Sequence, residues 1–135
     1  MAITRLDHYS IRTTDLESTR KFYTEVLGFE VGPRPVFPFP GIWLYNNGLP
    51  VVHVIGIDPN DSSGLMEYLG GREQGGKGSG MVDHVAFYAD DINAIRARIV
   101  STGAEFKERQ VPALNLAQIF VEDPSGIVVE LNFNT

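Results

Sequence analysis

Polar and apolar residues alternate from Leu6 to Arg12, with Tyr9 and Ile11 on one side and His8, Ser10 and Arg12 on the other, which is the period of a strand with one covered face. The period then changes. Leu16, Tyr23, Val26 and Leu27 share a helical stripe, Thr14 and Glu17 have the spacing of a capping box, and Gly28 stands where a helix C-terminus needs a left-handed residue. Three short strands are predicted next, the last two joined by a turn at Asn46-Asn47-Gly48. The final one, VVHVI from Val51 to Ile55, is a β-branched run that reads as buried on both faces, with a histidine inside it. From Val82 the pattern starts again. Val85 and Phe87 oppose His84, Ala86 and Tyr88, Asp90 or Asp91 caps a stripe of Ile92, Ile95 and Ile99, Gly103 ends it, and a turn at Asp123-Pro124-Ser125-Gly126 joins the last two strands.

The recurrence is a repeat. LDHYSIRTTDLESTR, from Leu6, aligns without a gap on VDHVAFYADDINAIR, from Val82, at an offset of 76 (82 − 6). After one slip, Ile42-Trp43-Leu44 falls on Ile119-Phe120-Val121 and Val51-Val52-His53-Val54 on Val128-Val129-Glu130-Leu131, at an offset of 77 (119 − 42). The expected architecture is therefore α+β: one domain over residues 1–135, built of two tandem βαβββ modules at about 1–60 and 81–135 with a linker at about 61–80.

Composition narrows the chemistry. A chain of 135 residues with 43% hydrophobic content can bury one real core. With 11 Lys and Arg against 17 Asp and Glu, the net charge of −6 disfavours nucleic-acid or anionic-membrane partners. There is no cysteine, so any metal must be held by nitrogen and oxygen. The apolar runs are too short to span a bilayer and no secretory pattern opens the chain, so a cytoplasmic location is expected. The seven glycines between Gly64 and Gly80 do not make a phosphate loop: Lys77 is followed by Gly78 and no helix pattern follows. A flexible linker with a short helix near Leu65 to Leu69 is expected instead. GPRPVFPFPG, from Gly32 to Gly41, reads either as an exposed loop with aromatic plugs or as an apolar wall at a pocket mouth.

All three histidines occupy repeat-equivalent places. His8 matches His84 on the first strand of each module, and His53 matches Glu130 on the last. A lone strand histidine is more often a hydrogen-bonded core residue than a ligand. Glu130 is harder to dismiss, because an unpaired carboxylate in VVELNF costs several kcal/mol and implies a cation, strong hydrogen bonds or a shifted pKa. Strand parity sets His8, His84 and Glu130 on faces away from the large apolar residues, so a pseudo-twofold could gather three imidazoles and one carboxylate around a divalent metal. Asp7 and Asp83 should point to the opposite face from their neighbouring histidines and serve local turns or strand edges.

LDHYSIRTTDLESTRKFYTEVLGFEV, VDHVAFYADD and VEDPSGIVVELNF resemble the vicinal oxygen chelate superfamily (glyoxalase, bleomycin resistance and extradiol dioxygenase proteins) over nearly the whole chain except the linker. The resemblance implies paired βαβββ modules in a curved mixed-sheet cup around a divalent metal, often completed in a homodimer, acting on a small-molecule substrate. Position by position it implies His8, His84 and Glu130 as metal ligands. His53 stands where glyoxalases carry glutamate and epimerases glutamine, and where extradiol dioxygenases carry an acid–base histidine. It is thus either a fourth ligand or a catalytic acid–base group. Ring cleavage of a catechol-type substrate, with Fe(II) as the metal and Zn, Mn, Ni or Co as alternatives, is the first expectation; two open points weigh against it, since Phe120 and Val111 lie where those enzymes place further polar residues. An isomerase, epimerase or lyase acting through a chelated enediolate is the second expectation, and a metal-free binding protein of the bleomycin-resistance sort is the third. Ser10, Arg12, Tyr88 and Asn132 share the ligand-bearing faces, and Phe39, Trp43 and Tyr45 offer an apolar wall, so these seven are the substrate-binding candidates.

Overall fold

The computed structural model describes residues 6–58 and 84–135, so the Gly-rich linker, the short helix expected near Leu65 to Leu69 and Asp83 lie outside the described residues. Each described half is a βαβββ unit. The first comprises β1 (Tyr9–Thr13), α1 (Leu16–Lys21) continued by a π-helical segment (Phe22–Val26), β2 (Glu30–Gly32), β3 (Gly41–Asn46) and β4 (Leu49–Gly56). The second comprises β5 (His84–Tyr88), α2 (Ile92–Thr102), β6 (Phe106–Val111), β7 (Leu116–Glu122) and β8 (Val128–Asn134). Two four-stranded mixed sheets result, ordered β1-β4-β3-β2 and β5-β8-β7-β6. In each, the first strand runs parallel to the last and the other pairings are antiparallel. The repeat in the sequence is thus a repeat in topology.

One face of each sheet carries the core. Leu44, Val52 and Val54 of the first sheet and Ile119, Val121 and Val129 of the second are essentially inaccessible, and Phe22, Tyr23, Val26 and Ile99 cover them from the helices. Truncating Leu44, Ile99 or Ile119 to alanine costs about 2–5 kcal/mol. The other face stays half open, which corrects the reading of VVHVI as buried on both faces: Val52 and Val54 are buried, while Val51, His53 and Ile55 are intermediate. The helix covers one side of β4 and leaves the side bearing His53 to the site.

Local signals set the element ends. Asn47 and Gly48 both have positive φ, 53° and 79°, the two-residue turn that matches the twist of the β3–β4 hairpin. Asp91 caps α2 by accepting from Ala94 N at 3.1 Å, and Gly103 closes it with φ of 76°. The expected Thr14–Glu17 capping box does not form. Asp15 caps α1 instead, accepting from Ser18 N at 3.0 Å and from the Ser18 hydroxyl at 2.6 Å, while Glu17 pairs with Arg20. An Asp at the cap reaches the free amides with an ionised acceptor, which a threonine one residue earlier cannot match.

The two units meet through aromatic and polar contacts. Phe29 packs edge-on against Phe87 at 5.5 Å between ring centres. Tyr23 donates to the buried Asp123 carboxylate at 3.0 Å, and its hydroxyl lies 3.2 Å from that of Tyr9.

Candidate functional site

On the open face of the first sheet, β4 sets His53 between Ser10 of β1 and Trp43 of β3 in the strand register. The His53 ring stacks on Trp43 at 3.9 Å and 8°, and His8 stacks on its other side at 3.7 Å and 14°. A carbonyl can only accept, so the 3.1 Å contact between His53 Nε2 and Pro50 O makes Nε2 the protonated nitrogen and leaves Nδ1 with a lone pair. Burial first, and then the charge of His8 beside it, holds the His53 pKa below its ordinary value, so the ring is neutral near neutral pH.

His8 Nδ1 lies 2.6 Å from Asp7 Oδ2, and because the carboxylate accepts, the proton sits on Nδ1 and Nε2 is left with a lone pair that a metal ion can take. This corrects the expectation that Asp7 points away. Residues 6–8 precede β1, so strand alternation does not govern them.

A cavity of about 600 Å³ opens here, lined by His8, Ser10, Arg12, Trp43 and His53 and walled by Arg34, Phe37 and Phe39. The Pro-rich connection is therefore a pocket wall. Phe37 and Phe39 stack at 5.2 Å, the Arg34 guanidinium lies 4.9 Å and 5.2 Å from their ring centres, and its Nη2 donates to Phe39 O at 3.0 Å. Arg34 escaped the sequence reading, which offered the two phenylalanines of this segment as an apolar wall, because a Pro-rich stretch has no period that aims its side chains.

On the second sheet, His84 opens β5 and Glu130 stands on β8 opposite Ala86. His84 Nε2 and Glu130 Oε1 are 3.9 Å apart, beyond hydrogen-bond length, while Glu130 Oε2 accepts from the Asn132 amide at 3.0 Å. The Glu130 side chain is 13% exposed and that of His84 42%, so the carboxylate is sheltered and the imidazole reaches outward.

The predicted ligands thus form two pairs, His8 with His53 and His84 with Glu130. Among the described residues no three His, Asp or Glu side chains gather as a metal-holding group. Donor chemistry nevertheless suits a divalent ion, since His8 Nε2, the His84 imidazole and Glu130 Oε1 are the nitrogen and oxygen donors such ions take. His53 fits less well as a partner of His8 on one ion. Imidazole lone pairs lie in the ring plane, and two nearly parallel rings 3.7 Å apart aim theirs side by side rather than at a common point.

The remaining substrate-binding candidates divide. Ser10, Arg12, Phe39 and Trp43 line the His8–His53 cavity. Tyr45 lies on a separate surface with Gly32 and Asn47, its hydroxyl donating to Pro33 O at 2.6 Å. Tyr88, 75% exposed, borders a cavity of about 460 Å³ near Phe87 and Asn134. Asn132 faces Glu130.

Comparison with known proteins bears on this arrangement. The Ethylmalonyl-CoA/methylmalonyl-CoA epimerase of Cereibacter sphaeroides is 30% identical over 96% of this chain and 97% of its own. In structure, a glyoxalase family protein from Bacillus anthracis superimposes with a TM-score of 0.73 at 21% identity, covering 100% of this chain and 98% of that one. The fosfomycin resistance protein of Listeria monocytogenes complexed with Mn(II) and 1S,2S-dihydroxypropylphosphonic acid gives 0.72 at 18% identity, covering 98% and 94%. Such relatives include enzymes and a Mn(II) complex with a small molecule. Residues 5–131 match the family model, and the chain belongs to the Glyoxalase/Bleomycin resistance protein/Dioxygenase superfamily.

Proposed function

We propose that the protein is a metal-dependent enzyme that moves a proton on a small substrate bearing two neighbouring oxygens, an isomerase, epimerase or lyase. His8, His84 and Glu130 hold the metal and His53 is the base. The observation that carries this reading is the His8–His53–Trp43 stack, which leaves His53 neutral, with an unprotonated Nδ1, and badly oriented to share an ion with His8. A neutral imidazole clamped between two rings and tied to Pro50 is a positioned proton acceptor. A divalent ion, when bound, supplies Lewis acidity that polarises the substrate carbonyl and acidifies the adjacent C–H.

The cavity supports an anionic substrate with a flat or apolar part. Arg12 and Arg34 supply positive charge, Phe37, Phe39 and Trp43 supply aromatic surface, and Ser10 supplies a hydroxyl beside His53. The full-length likeness to an epimerase agrees with proton transfer. Because the ligand pairs sit on different sheets and each includes a partly exposed histidine, the complete site is formed in a homodimer, the first pair of one protomer facing the second pair of its partner.

Ring cleavage of a catechol, with Fe(II), is the second reading, and the same stack favours it to the extent that a free His53 leaves three protein ligands and room for two substrate oxygens and dioxygen. One set of measurements separates the readings. Protein loaded in turn with Mn(II), Co(II), Ni(II), Zn(II) and anaerobic Fe(II) is assayed for deuterium incorporation from D₂O into 2-substituted malonyl thioesters and hemithioacetals, and for oxygen uptake with catechols. The expected result is isotope exchange, reduced about 100-fold or more in His53→Ala with metal binding retained. Oxygen uptake without exchange would install ring cleavage, and failure to bind any of the ions would leave a binding protein. No helix among the described residues is long and apolar enough to cross a membrane.

A further inference from the structure

Glu130 does not stand alone on its sheet. Strand register places Arg109 of β6 opposite Gln118 of β7, and Gln118 opposite Asn132 of β8, two residues beyond Glu130 on the same face. The side chains make one continuous path. Arg109 donates to Gln118 Oε1 from Nε at 3.0 Å and Nη2 at 2.6 Å, Gln118 Nε2 donates to Asn132 Oδ1 at 2.8 Å, and Asn132 Nδ2 donates to Glu130 Oε2 at 3.0 Å.

The direction of this path is forced. A guanidinium has donors only, so Gln118 must turn its oxygen toward Arg109 and its NH₂ toward Asn132. Asn132 must then receive on its oxygen and offer its NH₂ to the carboxylate. No amide along the line can flip without setting oxygen against oxygen or donor against donor. Arg109 is itself held, its guanidinium 5.3 Å from the centre of the Phe120 ring, and Gln118 is only 7% exposed.

We infer that Arg109, Gln118 and Asn132 form a one-way hydrogen-bond relay that engages Glu130 Oε2 and leaves Oε1 as the single metal-binding oxygen, with Gln118 the positioning residue that sets its sense. The inference rests on Glu130 being a metal ligand, as proposed above. Asn132 then serves the carboxylate rather than the substrate, and the first module has no such relay: Gln118 and Asn132 fall on Gly41 and Ile55 of the repeat. Partners that orient a metal ligand typically carry 10- to 100-fold in metal affinity.

Reversing the relay tests it. Gln118→Glu keeps the contact with Arg109 but can only accept, so Asn132 must present its NH₂ to residue 118 and its oxygen to Glu130 Oε2. Mn(II) affinity of the full-length protein, followed by electron paramagnetic resonance of free Mn(II), should fall about 10- to 100-fold. Simple charge addition predicts the opposite sign, since a further carboxylate near the site would tighten cation binding. Gln118→Leu removes more hydrogen bonds but imposes no wrong orientation, so it should lose less Mn(II) affinity than Gln118→Glu while lowering the melting temperature more. A merely structural role gives the same rank order for affinity and melting. Unchanged or tightened Mn(II) binding in Gln118→Glu, in a background where Glu130→Gln abolishes it, overturns the relay alone. Mn(II) binding that survives Glu130→Gln overturns the metal assignment of Glu130 and the relay with it.

Discussion

Asp123 is 4% exposed, yet it carries the turn between β7 and β8, accepting from Ser125 N at 2.9 Å, Ile127 N at 2.8 Å and the Tyr23 hydroxyl at 3.0 Å. Burial pushes its carboxyl above the usual value, and these hydrogen bonds only partly offset that. The folded state therefore binds the proton more tightly than the unfolded chain does. The resulting penalty is present above the raised pKa and is relieved as pH falls through it toward the unfolded value of 3.8. Asp123→Asn keeps an oxygen for both amides and a donor for Tyr23, so its stability near pH 7 should lie within about 1 kcal/mol of wild type, whereas Asp123→Ala should lose about 2–4 kcal/mol. Relative to Asp123→Asn, wild type should gain stability as urea unfolding is moved from about pH 7 to about pH 4.5. A relative loss over that interval would mean that the ionised form is the one the fold favours. The DPSG turn was legible in the sequence because Asp, Pro and Gly have separate turn roles there; the tie to Tyr23, a hundred residues away, has no local signature.

Elements were legible wherever one period ran long enough to fix a face. The apolar positions Phe22, Tyr23, Val26 and Leu27 suit α- and π-helical winding alike, so the π-helical segment within that stripe could not be told apart. Glycines at the helix ends were plain. Gly28 and Gly103 both have φ of 76°, but their surroundings differ. A Cβ at Gly103 would meet nothing within 4 Å, whereas one at Gly28 would overlap the Arg98 guanidinium reaching over from α2. Gly103→Ala should thus show the backbone cost alone, about 1 kcal/mol in chemical denaturation, with Gly103→Asn milder. The guanidinium is the far end of a flexible side chain and can swing aside, so Gly28→Ala should cost only slightly more, and the excess should vanish in an Arg98→Ala background. Equal costs for Gly28→Ala in both backgrounds would mean that Arg98 does not seat on that turn. The relay through Gln118 escaped the sequence for a related reason: the repeat drew attention to matched chemistry, and Gln118 has a glycine counterpart, Gly41.

At the scale of the molecule, the repeat located His8, His53, His84 and Glu130 but left open how the two pairs meet. One chain supplies two pairs of these residues on two different sheets, and on the reading proposed above a twofold dimer makes each complete site from both protomers. Complementation decides this. A purified heterodimer of a His8→Ala chain with a Glu130→Gln chain carries one site with both defects and one with neither, so it should recover about half of the wild-type activity and half of the Mn(II) capacity, although each homodimer is inactive. A His8→Ala chain paired with a His53→Ala chain gives the necessary contrast, because each of its two sites then keeps one defect in the first pair and neither is intact. Rescue in the first pairing and silence in the second requires sites shared between protomers. If both pairings are silent while every chain still dimerises, the half-sites must close within one chain, and the open face bearing His84 would have to swing against the one bearing His53.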